Sequence, residues 1–209
     1  DFAEQNNQSL TPNGGGYVGT PPTLQHYLNA GVVGATSSNW RALNDALATA
    51  VVDGNRISTC AKLQTVVDGY VALIGLADGF GNTPANLAPS ASAYSNIGVS
   101  GVTANDTHAL SLLADVIDRK TYADIDTVYE VQALADSVGV LLATAAGGNA
   151  LTLSQLQALG FTHVSANQLA DVKQALQDTA DDGSEVDTYA KLSSVITNKL
   201  ASIQQALQT

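Results

Sequence analysis

Methionine is missing from this chain, cysteine occurs once, and aromatic residues make up only 5% of it. Without a methionine, position 1 is not a native start, so the chain is expected to be a piece excised from something longer. One cysteine, Cys60, permits no internal disulfide. With so few rings, any core has to be built from Ala, Leu and Val and is expected to be thin. Basic residues are also scarce, 8 against 19 acids for a net charge of −11. Those eight (Arg41, Arg56, Lys62, Arg119, Lys120, Lys173, Lys191 and Lys199) are scattered. No basic stripe exists, which makes nucleic acid and anionic lipid poor partners. The longest strongly apolar runs, 70–77 and 138–143, fall far short of a bilayer span, so no membrane insertion is expected. No signal-peptide pattern opens the chain. Residues 1–21 are polar and contain Pro12 and Gly14–Gly16, which reads as a linker or the end of a preceding unit.

What is present is a globular composition, 45% hydrophobic with a mean hydropathy of +0.08, and within it a repeat. Three segments align, 22–78, 90–147 and 150–209. Their anchor is a short string: Gly31-Val32-Val33-Gly34-Ala35-Thr36, then Gly98-Val99-Ser100-Gly101-Val102-Thr103, then Gly160-Phe161-Thr162-His163-Val164-Ser165. Seven residues after the Thr or Ser stands an aliphatic, Leu43, Leu110 or Val172. A second Thr follows the first glycine by 28, 29 and 28 residues, at Thr59, Thr127 and Thr188. The apolar pattern then recurs as Leu63/Val66/Val67, Val131/Leu134/Ala135 and Leu192/Val195/Ile196.

The string has a mechanical meaning. A helix that ends at Gly31, Gly98 or Gly160 can turn left-handed there at no steric cost. The apolar residue after the glycine then reaches back five places, pairing Val32 with Tyr27, Val99 with Tyr94 and Phe161 with Leu156, as a Schellman stop requires. Thr36, Thr103 and Ser165 are placed to cap a second helix, with only four residues joining the two. Thr127 and Glu130 form a capping box for a third. Second and third helices carry apolar residues at helical spacing, such as Trp40/Leu43/Leu47 and Cys60/Leu63/Val67/Tyr70/Ile74, and no segment alternates as a strand would. The expected fold is therefore all-α: a tandem array of three short three-helix-bundle modules forming an elongated rod. Residues 22–89 hold the first module with its linker, 90–149 the second and 150–209 the third. A module of about 60 residues is marginal alone, so neighbouring repeats of the same chain are its expected partners.

The Gly-Val-x-Gly-Val-Thr string, with a short helix before it and a Thr-capped long helix after it, resembles the GA-like three-helix repeats of large Gram-negative surface adhesins and hemagglutinin-like exoproteins. The resemblance covers 22–209, is best in the second repeat, and departs at His163, where the third lacks its second glycine. It implies a secreted or cell-surface protein with a spacer or adhesive role and no catalytic residues. The related albumin-binding modules bind through a helix face. A host or matrix protein is thus the alternative partner, although no binding residue transfers by motif.

Side chains that could carry chemistry fit ordinary structural roles. His26, His108 and His163 fall at non-equivalent repeat positions, unlike a shared metal site, which would recur. Cys60 lies on an apolar stripe and reads as a small core residue. Acids cluster before the third long helix (Asp178, Asp181, Asp182, Glu185, Asp187), with a second group at Asp115, Asp118, Asp124 and Asp126 and only Asp53 in the first repeat. Calcium takes oxygens from such loops, so Asp178, Asp181, Asp182 and Glu185 are the candidate ligands. Their spacing is not that of an EF-hand, and Asp residues also favour turns and caps. Gly14–Gly16 has no preceding strand and no following Lys, so it is no phosphate loop. Trp40 and Tyr27 read as filling the first core. No polar constellation suggests an enzyme, and no cofactor is expected beyond possible calcium.

Overall fold

A computed structural model describes residues 2–6, 17–81, 88–180, 182–206 and 208. The described residues form ten α-helices, two 3-10 turns and no strand. In chain order the helices are α1 (Phe2–Asn6), α2 (Leu24–Asn29), α3 (Trp40–Leu47), α4 (Cys60–Leu76), α5 (Ala91–Asn96), α6 (Thr107–Asp118), α7 (Val128–Ala145), α8 (Leu153–Ala158), α9 (Leu169–Gln177) and α10 (Tyr189–Ala206). After α1 the pattern short, medium, long occurs three times, as α2–α3–α4, α5–α6–α7 and α8–α9–α10.

The short helices stop where the glycines stand. Gly31, Gly98 and Gly160 take φ of 75°, 99° and 109°, a region open to glycine at little cost. The next amide reaches five residues back each time: Val32 to the Tyr27 carbonyl at 3.1 Å, Val99 to Tyr94 at 3.1 Å and Phe161 to Leu156 at 3.2 Å. All six of these side chains are buried. The connections that follow are longer than four residues. Thr36 and Thr103 head a turn, and the helix caps themselves come three residues later, at Asn39 and Asp106, with the Asp106 carboxylate accepting the Ala109 N–H at 2.9 Å. Ser165 does cap, through Gln168 and a 3-10 turn that runs into α9. The long helices begin as expected. Thr59 accepts the Lys62 N–H, Thr188 that of Lys191, and Thr127 with Glu130 forms the full capping box.

The connection is tied to the long helix by a clamp the repeat string does not contain. The Gln64 amide exchanges two hydrogen bonds of 2.8 Å with the Val33 backbone and also donates to Asp68 at 2.7 Å. Gln132 does the same to Ser100, at 2.8 and 3.2 Å, and donates to Asp136 at 2.7 Å. In the third repeat Ser193 and Thr197 hold these places, and His163 replaces the second glycine.

Packing runs across the repeats as well as within them. α4 lies on α5 and α6, α7 lies on α8 and α9, and each medium helix reaches the next long helix, α3 to α7 and α6 to α10. Buried apolar residues form one connected core from Ala3 to Ile196 rather than three separate thin ones. α7 is 18 residues long with a mean hydropathy of 1.2, enough in length and composition to cross a membrane, yet nine of its side chains are buried within the fold. α10 differs: only Leu192 and Ile196 are buried, and Lys199, Ser202 and Gln205 stand where α4 carries Tyr70, Leu73 and Leu76.

Two buried tyrosines at equivalent positions have opposite polar fates. Tyr27 donates to Asn44 Oδ1 at 2.7 Å, whereas the buried Tyr94 hydroxyl has no partner among the described residues. Tyr27→Phe leaves buried Asn44 short of a donor and is expected to cost about 1–3 kcal/mol. Tyr94→Phe removes an unpaired hydroxyl and is expected to be neutral or stabilising. Denaturant unfolding of both variants checks the contrast, and equal losses would refute it.

Candidate functional site

The polar groups that converge most closely do so at the joints between repeats. At the first joint α3 points Asp45 at the start of α7. Its Oδ2 accepts the Val128 N–H at 2.6 Å, the Tyr17 hydroxyl lies 3.5 Å from Oδ1, and the residue is 4% exposed. A helix start suits a carboxylate, since its first amides lack partners within the helix and carry partial positive charge. Tyr70 of α4 closes the same joint by donating to the Ile125 carbonyl at 2.9 Å. Burial pushes the Asp45 carboxyl up to about 6, against the pull of the Val128 hydrogen bond, and the charges of Glu130 and Asp126 add to the rise. Burial also raises Glu130, despite its bonds to Thr127.

The second joint repeats the device with other neighbours. Asp115 of α6 accepts the Tyr189 N–H at 3.0 Å, at the start of α10. Here a cation stands by: the Arg119 guanidinium lies 4.2 Å over the Tyr189 ring and donates to the Asp115 carbonyl. Tyr189 stacks on Phe161 with centroids 4.9 Å apart. Beside it, His108 Nδ1 meets Asp187 Oδ2 at 2.9 Å and Lys191 meets the other oxygen at 2.7 Å. Burial would raise the Asp187 carboxyl, but the bonds from Lys191 and His108 outweigh it and hold it low.

Asp45 and Asp115 lie 9 and 12 residues after Thr36 and Thr103, so the second repeat has three extra residues before its carboxylate. Leu110, which the spacing equates with Leu43, is accordingly only half-buried, and fully buried Leu113 takes the place of Leu43. No local pattern singles out Asp45, and by position Asp115 is one of a group of acids ahead of the second long helix. The available signal was a shared pattern, Leu43-x-Asp45-x-Leu47 and Leu113-x-Asp115-x-Ile117, just past that shift.

The proposed calcium ligands are engaged one by one. Asp178 Oδ1 accepts from Gln174 at 2.9 Å, Asp182 Oδ1 from the Ser184 N–H at 2.9 Å and Glu185 Oε2 from the Ala180 N–H at 2.8 Å. Asp181 lies outside the described residues, as do Pro12 and Gly14–Gly16. Among the described residues no three His, Cys, Asp or Glu side chains are grouped to hold a metal. His26 serves as a cap, its Nδ1 accepting the Thr23 N–H at 2.9 Å. Cys60 does not face the core: it is exposed at the first turn of α4, while its counterpart Val128 is fully buried under α3. Trp40 is half-buried against the core with Arg41 4.8 Å over its ring. A cleft of about 370 Å³ opens between the end of α4 and α6, lined by Leu76, Pro89, Thr107, Leu110 and Ala114 among others. No family model, curated protein or solved structure matches this chain.

Proposed function

We propose that this chain is a spacer segment of a large secreted or cell-surface bacterial adhesin: a non-enzymatic array of three-helix units forming an elongated stalk. The reading is supported above all by the recurrence of one joint. In both places a long helix lies on the short and medium helices that follow, and a medium-helix carboxylate holds the first amide of the next long helix. Packing that hands itself on is what a stalk needs, because each added unit is stabilised by its neighbour. Residues shared between repeats are stops, caps, clamps and core, while the acids of the surface vary. The resemblance to GA-like adhesin repeats rests on the repeat string and agrees with this reading.

Solution scattering tests the shape. A compact chain of 209 residues has a radius of gyration of about 17 Å. A stalk is expected to exceed that clearly, and a value at or below it would remove the rod. The same protein, immobilised and probed with serum and matrix proteins, is expected to capture none saturably. A specific partner would replace the spacer with a binding module. Because Asp178, Asp182 and Glu185 are occupied by internal donors, adding calcium is expected to leave the melting temperature unchanged, and a rise would place an ion in the fold.

A further inference from the structure

We propose that the joint between the first and second repeats is a proton-operated latch: as the medium acidifies, Asp45 takes up a proton and the two repeats are held together more tightly. The geometry sets this up. Asp45 is buried between α3 and the start of α7, and the titratable groups around it are acids or phenols. Tyr17 faces it from the segment before α2, Tyr70 from α4, Asp126 from the connection just before α7 and Glu130 from the first turn of α7. Tyr122 of the preceding turn borders Asp126, and Arg41 lies at Tyr122. Among the described residues no cation forms an ion pair with Asp45. Lost hydration and the like charges of Glu130 and Asp126 disfavour the buried carboxylate, and they outweigh the Val128 N–H and Tyr17 hydroxyl, whose bonds favour it.

The neutral form keeps the bond at the joint, since its carbonyl oxygen still accepts the Val128 N–H; the bond loses its charge assistance, and the relief of burying a charge outweighs that loss. The folded carboxyl titrates near 6, against 3.8 for an unhindered Asp. Between those values the closed joint binds a proton that the open one releases, so closure is favoured as pH falls and weakens as pH rises through about 6. The second joint is the internal control. Asp115 makes the same bond but is only half-buried, and Arg119 is bonded to its carbonyl and lies over the Tyr189 ring, whereas Arg41, one turn from Asp45, lies over the Trp40 ring.

Amide hydrogen exchange on the intact chain reads both joints at once. After correction for intrinsic rates, Val128 protection relative to Tyr189 is expected to rise from pH 7.5 to pH 4. The ceiling is about a hundredfold, set by the distance between 3.8 and about 6. Asp45→Asn keeps an amide acceptor without a titrating proton and is expected to abolish that rise. Equal pH response at the two joints, or a rise that survives in the Asn variant, would overturn the proposal. Should the variant fail to fold, the Asp45 carboxyl carbon can be titrated by NMR in the unaltered chain: a midpoint near 6 is expected, and one at or below 4 sinks the latch.

Discussion

Tyr70→Ala is expected to cost about 4 kcal/mol and to loosen the first repeat from the second. The ring is fully buried in α4, and removing it leaves a cavity whose lining relaxes only in part, a loss of about 3–5 kcal/mol for an aromatic. Its hydroxyl is the donor to the Ile125 carbonyl, and Ile125 is itself 0% exposed, so the acceptor is stranded as well. Tyr70→Phe isolates that second contribution and is expected to cost about 1 kcal/mol. For a chain of this size each kcal/mol moves the melting temperature by about 2–4 °C, so the alanine variant should melt about 12 °C lower. Tyr129, 45% exposed on α7, is the control, and its alanine variant is expected within about 0.5 kcal/mol of the parent. Equal losses for Tyr70 and Tyr129 would contradict the picture of a joint sealed by Tyr70.

Gly98→Ala is the second large effect, expected at about 3 kcal/mol. Two costs combine. At φ 99° a side chain is strained by about 1–2 kcal/mol. A Cβ there would also come within 2.8 Å of Thr49 Cβ and 3.0 Å of Val51 Cγ2, in the connection that follows α3. Thr49 cannot swing aside cheaply, since it is buried and its hydroxyl is bonded to the Ala46 carbonyl at 2.9 Å. Crowding of that kind adds about 1–3 kcal/mol. Gly101, three residues on, also has positive φ, but a Cβ there meets nothing within 4 Å. Gly101→Ala should therefore show the backbone cost alone, about 1 kcal/mol. Urea unfolding of the pair separates strain from crowding, and indistinguishable midpoints would show that the first repeat does not press on Gly98.

Local features were legible in the sequence because their causes lie within a few residues. Only glycine turns left-handed freely, so the ends of α2, α5 and α8 could be placed from Gly31, Gly98 and Gly160 and from the apolar residue after each. Thr59, Thr127 and Thr188 marked the long helices for the same reason. The starts of α3 and α6 were missed by three residues because Thr36 and Asn39, like Thr103 and Asp106, are all able to cap, and the connection decides which does. The joints were illegible for a different reason: Asp45 lies 83 residues from Val128 and Asp115 lies 74 from Tyr189. Cys60 was misplaced because the stripe that buries Val128 depends on α3 lying over it, which no local pattern reports. Gln64/Asp68 and Gln132/Asp136 were visible in principle, as polar residues at equal spacing, to a comparison not restricted to apolar positions.

The way each joint is made also governs where these helices can change length. α6 has 12 residues to the 8 of α3, and its three additional residues before the carboxylate leave Leu113, Asp115 and Ile117 spaced as Leu43, Asp45 and Leu47 are. Growth at that end slides the helix start outward and leaves the carboxylate aimed at its amide. One residue inserted between Asp115 and Ile117 would instead turn one relative to the other by about 100°, so that the aliphatic could not be buried while the acid reached Tyr189. The front of a medium helix can therefore change in length without breaking its joint, whereas the stretch that carries both acid and aliphatic cannot.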